Sequence, residues 1–161
     1  MRSILSFYLS APIIGAAQGA IDSFEECLRH RVSAGTGQSM AQIAGIQTRL
    51  AEAEAEVRVA RLLIQADGRE VMDLAKNHTM PTREERARYR RDQAYVVRLC
   101  VQAVNRIYEA SGGHAVFDSS PIQRFHRDVH AGAHHVSLFW DEVAEQYGMM
   151  RLGLEPSNPN L

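Results

Sequence analysis

Apolar positions recur every three or four residues along most of this chain, and the pattern breaks where glycine, serine and proline gather. Ile43, Ile46, Leu50, Ala53, Val57, Ala60 and Ile64 give the clearest stretch, a heptad-like seam that faces other helices. Glu52, Glu54, Glu56, Arg58 and Arg61 lie between them and read as a solvated face. Ser33-Ala34-Gly35-Thr36-Gly37-Gln38 has loop composition. Thr82 and Glu85, after Met80-Pro81, match a capping box. Gly112-Gly113 can take the positive φ that ends a helix. Ser119-Ser120 followed by Pro121 marks a new start. The pattern predicts helices near 3–31, 39–77, 83–111 and 120–147, joined by short loops. That is an all-α, up-down four-helix bundle. Residues 1–155 form the domain and 156–161 an extended tail. No strand pattern, repeat or low-complexity segment interrupts it.

Two features of the first helix carry expectations of their own. Pro12 either kinks the helix or follows a fresh start capped by Ser10. Gly15 and Gly19, with Ala16, Ala17 and Ala20, make a smooth face for close helix packing. Gln18, Asp22, Glu25 and Glu26 place that face in a water-soluble bundle and not in a membrane.

Composition narrows the picture. A chain of 161 residues is one domain of ordinary size. A net charge of −1 gives no footprint for nucleic acid, which calls for a basic excess. Cys27 and Cys100 are far apart inside apolar helical patterns, so no disulfide framework is expected and a reducing cytoplasm is the default. No apolar run reaches the roughly 18 residues of a membrane span. The apolar N-terminus, broken by Ser3, Ser6 and Ser10, continues the helical period and reads as mature protein.

The candidate chemistry lies in the last third. His114, His126, His130, His134 and His135 are five of the seven histidines, the side chains that most readily change charge near neutral pH. His126, His130 and His134 are four apart and share a helix face. No Glu-x-x-His pairs recur elsewhere, so no metal site is expected; His126 and His130 read as making surface or interhelical hydrogen bonds. Gly132, between Ala131 and Ala133, thins the helix for a ligand or for a close neighbouring helix. Arg127-Asp128 reads as a buried or interfacial ion pair. Gly112-Gly113 ahead of a helix start can turn a corner or approach an anion.

The order of these residues resembles the C-terminal helical domain of the acyl-CoA dehydrogenase superfamily. The resemblance rests on Tyr108-Glu109-Ala110-Ser111-Gly112-Gly113, Ser119-Ser120-Pro121-Ile122-Gln123-Arg124 and Arg127-Asp128-Val129-His130-Ala131. His135, Tyr147-Gly148 and Leu152-Gly153-Leu154-Glu155-Pro156 extend it. Gly15 to Ala20 and Gln47 to Ala53 are similar to the first two helices of that domain. The narrower resemblance is to the two-component flavin-dependent monooxygenases of this fold, which include hydroxylases of hydroxyphenylacetate and seco-steroid phenols and the dibenzothiophene enzymes.

That resemblance implies a phenol-like substrate hydroxylated with O2, reduced FMN or FAD supplied by a separate flavin reductase, and self-association as a dimer or tetramer. Family members place an N-terminal helical domain and a middle β-domain before this bundle, with the flavin between the β-domain and the bundle. The chain on its own is therefore expected to be inactive. By position, His135 corresponds to the catalytic residue beside the flavin ring, with His134 adjacent, about 100° around the helix. Gly112 and Gly113 match a glycine pair close to flavin, and Arg31 or Arg29 an arginine that binds its phosphate. The dehydrogenases carry a catalytic glutamate near His135, and here no glutamate occurs between Glu109 and Glu142. This departure favours the monooxygenases. An acyl-CoA dehydrogenase-type FAD oxidoreductase with its base elsewhere, or a non-catalytic helical assembly module, are the alternatives. Pro121 to His135 spans about 21 Å of helix, so the glycine pair and His135 serve different ends of the site or different protomers.

Overall fold

The computed structural model describes residues 2–33 and 35–158, with side chains from Phe7 onward. Five α-helices build it: α1 (Arg2–Leu28), α2 (Ala44–Lys76), α3 (Arg83–Ser111), α4 (Pro121–Ala133) and α5 (Trp140–Arg151). Short 3-10 turns at Met40–Gln42 and Gly112–Val116 precede α2 and follow α3. From α1 to α4 each helix packs on the next, and α4 packs back on α1, which closes the four-helix bundle. α5 is an addition that packs against α3.

The core follows from the period of the sequence. Ile14, Ala17, Ile21, Phe24 and Leu28 of α1 are buried at steps of three and four. From α2, Ile46, Ala53, Val57 and Ala60 are buried, with Leu50 and Ile64 packed beside them. α3 lies against all four other helices, so its buried positions occupy more than one face: Val96, Val97, Cys100, Val104 and Ile107 among them. Full burial of side chains of this size is worth roughly 1.5–3 kcal/mol each before entropy is counted. Cys27 is exposed and Cys100 buried, and both are free thiols.

The punctuation works largely as the sequence indicates. Thr82 Oγ1 accepts from the Glu85 N–H, while Glu85 accepts from the Thr82 N–H at 2.7 Å, a complete capping box. Gly112 ends α3 with φ 59°, which favours glycine. Pro121 opens α4, although Ser120 makes no side-chain cap. α1 runs unbroken through Pro12. Ser10 caps no new start; its hydroxyl donates back to the Phe7 carbonyl at 3.2 Å. Pro12 is exposed, so the carbonyl it leaves without a donor can meet water.

The largest departure is in the last helix. The expected single helix over 120–147 is two, divided at residues 134–139. α4 ends with the His134 and His135 N–H groups folding back onto the Ala131 and Gly132 carbonyls. A further turn, Leu138 N–H to His135 carbonyl at 2.8 Å, drives Leu138 into the core, where it is buried. A continuous helix could not insert Leu138 and also lay α5 on α3. The tail is held through Asn158, where the described residues end: the Asn158 N–H donates to Gln146, and Gln146 donates to Ser157.

Candidate functional site

Two groups of candidate residues lie at opposite ends of α4. At its C-terminal end a cavity of about 570 Å³ opens between α1 and α4. Leu9, Pro12, Ile13 and Ala16 form the α1 wall. Ala131 and Gly132 form the facing wall, and Asp128, His134 and His135 supply its polar groups. Gly132 is there for close packing: a Cβ would stand 2.8 Å from Ile13 Cδ1. Gly19 does the same against Phe125, at 2.7 Å, whereas Gly15 has open space around it. The thin stretch thus brings α4 onto α1 and, where the helices part, leaves the cavity.

His134 and His135 are not on a helix face. Both follow the end of α4, and both line this one cavity, contrary to the expectation that adjacent helical positions would divide them. Their hydrogen bonds set opposite tautomers. The Ser137 N–H donates to His135 Nδ1 at 3.2 Å, so the neutral ring carries its proton on Nε2. His134 Nδ1 lies 2.8 Å from the His130 carbonyl, which only accepts, so Nδ1 carries a proton and the neutral form of the ring has its lone pair on Nε2. The cavity rim therefore carries one imidazole donor and one imidazole acceptor.

His126 and His130 have a different task. Their Nε2 atoms lie 2.9 and 2.8 Å from the single Asn105 Oδ1, which accepts from both. Their rings stack at 4.4 Å, and Tyr108 covers His126 at 4.4 Å. Burial pushes both pKa values down, and the neighbouring histidine adds to the shift. Neutral imidazoles thus pin α4 to α3. Nothing in the sequence singled out Asn105. Arg127-Asp128 is a correction: the two are 3.5 Å apart and well exposed, because they sit on the outer side of α4. Asp128 nevertheless borders the cavity. Among the described residues no three His, Cys, Asp or Glu side chains converge to hold a metal ion. None of the described helices is long and apolar enough to cross a membrane.

At the other end, Arg31 Nη1 donates to the Ser111 carbonyl at 3.0 Å, at the negative end of α3. This places Arg31 beside Gly112 and Gly113, neither of which has any atom within 4 Å of where a Cβ would stand. Arg29, the alternative, is engaged with Glu26 at 3.0 Å. The thirteen residues of α4 keep this group roughly 20 Å from the histidine cavity.

The profile described as "Acyl-CoA dehydrogenase, C-terminal domain" matches residues 7–140. The chain is similar to the p-hydroxyphenylacetate 3-hydroxylase, oxygenase component, of Acinetobacter baumannii: 34% identical over 147 residues, covering 91% of this chain and 35% of that protein. It is 33% identical over 156 residues to the FADH(2)-dependent resorcinol hydroxylase, oxygenase component, of Rhizobium sp. (strain MTP-10005), covering 92% and 38%. The crystal structure of the HsaA monooxygenase from M. tuberculosis matches with a TM-score of 0.84 at 31% identity, over 97% of this chain and 39% of that one. The chain thus spans 35–38% of the length of these two curated relatives.

Proposed function

This chain belongs to the acyl-CoA dehydrogenase C-terminal domain family, and from that premise we propose that it is the helical domain of the oxygenase component of a two-component aromatic hydroxylase. The observation that carries the reading is the apolar cavity with a histidine pair at its rim and no glutamate between Glu109 and Glu142. An acyl-CoA dehydrogenase uses a glutamate base there, and the carboxylate that borders this cavity, Asp128, is well exposed on the outer side of α4; a hydroxylase needs a dry pocket with a proton donor and acceptor. Both curated relatives described above are named as hydroxylases of phenols, which supports a phenol-like substrate.

The residues present fit one wall of a flavin site. The cavity is broad and apolar enough for one face of a flat ring system, and His135 Nε2–H offers it a donor. Reduced FMN or FAD, delivered by a separate flavin reductase, supplies the oxygen-activating chemistry when bound. His135, as the catalytic residue, donates to an electron-rich ring and holds a proton at Nε2. His134 Nε2 accepts one. Ile13 and Leu9 exclude water from that face. Gly112, Gly113 and Arg31 form a second contact, with open backbone and a guanidinium suited to phosphate. Its distance from His135 suits the far end of a flavin, or a flavin held by a neighbouring protomer. The domain self-associates as a dimer or tetramer, in the cytoplasm.

The test is to supply the protein, expressed from its natural gene, with a flavin reductase, NADH and FMN or FAD, and to offer a phenol panel beside an acyl-CoA panel. Oxygen-dependent gain of one oxygen atom by a phenol is the expected result. Acyl-CoA desaturation without phenol hydroxylation would overturn the reading.

A further inference from the structure

A second, smaller cavity of about 190 Å³ lies between α3, the end of α4 and the start of α5. Ala94, Val97 and Val101 give it an apolar floor, and Phe139 and Trp140 an aromatic rim. Trp140 is held by the Tyr95 ring at 5.4 Å and by the Arg98 guanidinium at 5.4 Å. Arg98 also lines the cavity, and with Arg86 and Arg90 it is one of the α3 arginines that reach no carboxylate among the described residues. Arg83, Arg88, Arg91 and Arg106 each reach a carboxylate. Among the described residues none stands within ion-pair distance of Arg98, although Asp141 borders the same space. The first turn of α5 opens here as well, and its N-cap residue is Phe139, whose side chain cannot accept from the free N–H groups.

We propose that this cavity binds a small, single-ring aromatic carboxylate, with the ring on Trp140 and the apolar floor and the carboxylate on Arg98. The volume is below the roughly 300–1,000 Å³ of sites for larger ligands, which limits the occupant to one ring. A planar guanidinium without an acid partner matches a carboxylate in shape and charge. A cationic ring would meet Arg98 with like charge, and a neutral ring would leave it unpaired. Asp141 is exposed, so water and salt screen its charge. His134 and Leu138 border both cavities, so occupation of the smaller one bears on the rim of the larger.

Trp140 is the chain's one tryptophan, so its emission reports on this cavity alone. The experiment titrates the chain with benzoate, and in parallel with benzylamine, under excitation selective for tryptophan. A saturable change with benzoate and none with benzylamine is expected. Arg98→Gln should weaken benzoate binding about tenfold or more, the loss of a charge-assisted hydrogen bond, while the helical circular dichroism stays unchanged because Arg98 is exposed. Val101→Phe, which fills the floor, should abolish it. Saturation-transfer NMR on the benzoate resonances detects binding that leaves the emission unaltered. No saturable signal by either method, an equal response to benzylamine, or wild-type affinity in Arg98→Gln would overturn the proposal.

Discussion

Asp67 sits where the α2 seam should place another apolar side chain, three residues after Ile64, and it is only 3% exposed. A second buried acid, Asp92 of α3, is 4% exposed and takes the Arg91 guanidinium for itself. Arg88 is engaged with Glu70. Asp67 Oδ2 is left without a hydrogen-bond partner among the described residues. Burial, followed by the charge of Asp92, pushes the Asp67 pKa from 3.8 to about 7, against the pull of Arg88 and Arg91. The folded chain therefore keeps a proton on Asp67 between about pH 4 and pH 7 that the unfolded chain has released. Stability falls as pH rises through that window and levels off above it. A shift of about three units corresponds to roughly 4 kcal/mol at about 1.36 kcal/mol per unit. Asp67→Asn removes the ionisation at nearly constant volume. Its stability relative to wild type should rise by about 4 kcal/mol between pH 4 and pH 8. The assay is urea unfolding followed by helical circular dichroism at a series of pH values. His126 and His130 titrate in both proteins, so their contribution cancels in the difference. Parallel pH profiles for the two proteins would mean that Asp67 titrates alike in the folded and unfolded chain, contrary to its burial.

Asn105→Ala should cost about 1–3 kcal/mol in the same unfolding assay, because both His126 and His130 lose their acceptor at the α3–α4 contact. With their pKa values held below the usual 6.5, these histidines favour the fold when neutral. Their contribution is present above about pH 6.5 and is lost as pH falls through the folded values. Gly132→Ala should destabilise by about 1–3 kcal/mol through the clash with Ile13, and Ile13→Ala in the same chain should make that second change far cheaper, a coupling that a double-mutant cycle measures. Thr82→Ala should cost about 1 kcal/mol, and Thr82→Ser should restore most of it.

Much of the bundle was readable because its signals are local. The α2 seam, the Thr82–Glu85 box, Gly112 and Pro121 each act through a few neighbouring residues. The division of α4 from α5 was not readable as a break, since no glycine or proline occurs between His134 and Phe139. The available signs were the β-branched Val136, Ser137, and the acidic first turn Asp141-Glu142 after Trp140. What decides there is tertiary: burial of Leu138 outweighs continuation of the helix. The same holds for the histidines. Sequence placed His134 and His135 side by side but could not assign their tautomers, which depend on the Ser137 N–H and the His130 carbonyl. Arg127-Asp128 looked like an interior pair, yet only three-dimensional placement shows that it faces outward. Asp67 lay on the seam in plain view, but its significance depends on Asp92, 25 residues later and on another helix.

We propose that His135 presents Nε2–H to reduced flavin at the cavity rim. The most direct measurement is the oxygen-dependent hydroxylation of a phenol by the protein expressed from its natural gene, with reduced flavin supplied, for wild type, His135→Ala and the exposed control His78→Asn. His135→Ala should lose roughly 10²–10⁴-fold in rate, as expected for removal of a proton-handling group, while His78→Asn retains the wild-type rate. A His135→Ala rate equal to that of His78→Asn, with hydroxylation intact, would contradict the claim and leave His135 a turn residue after α4.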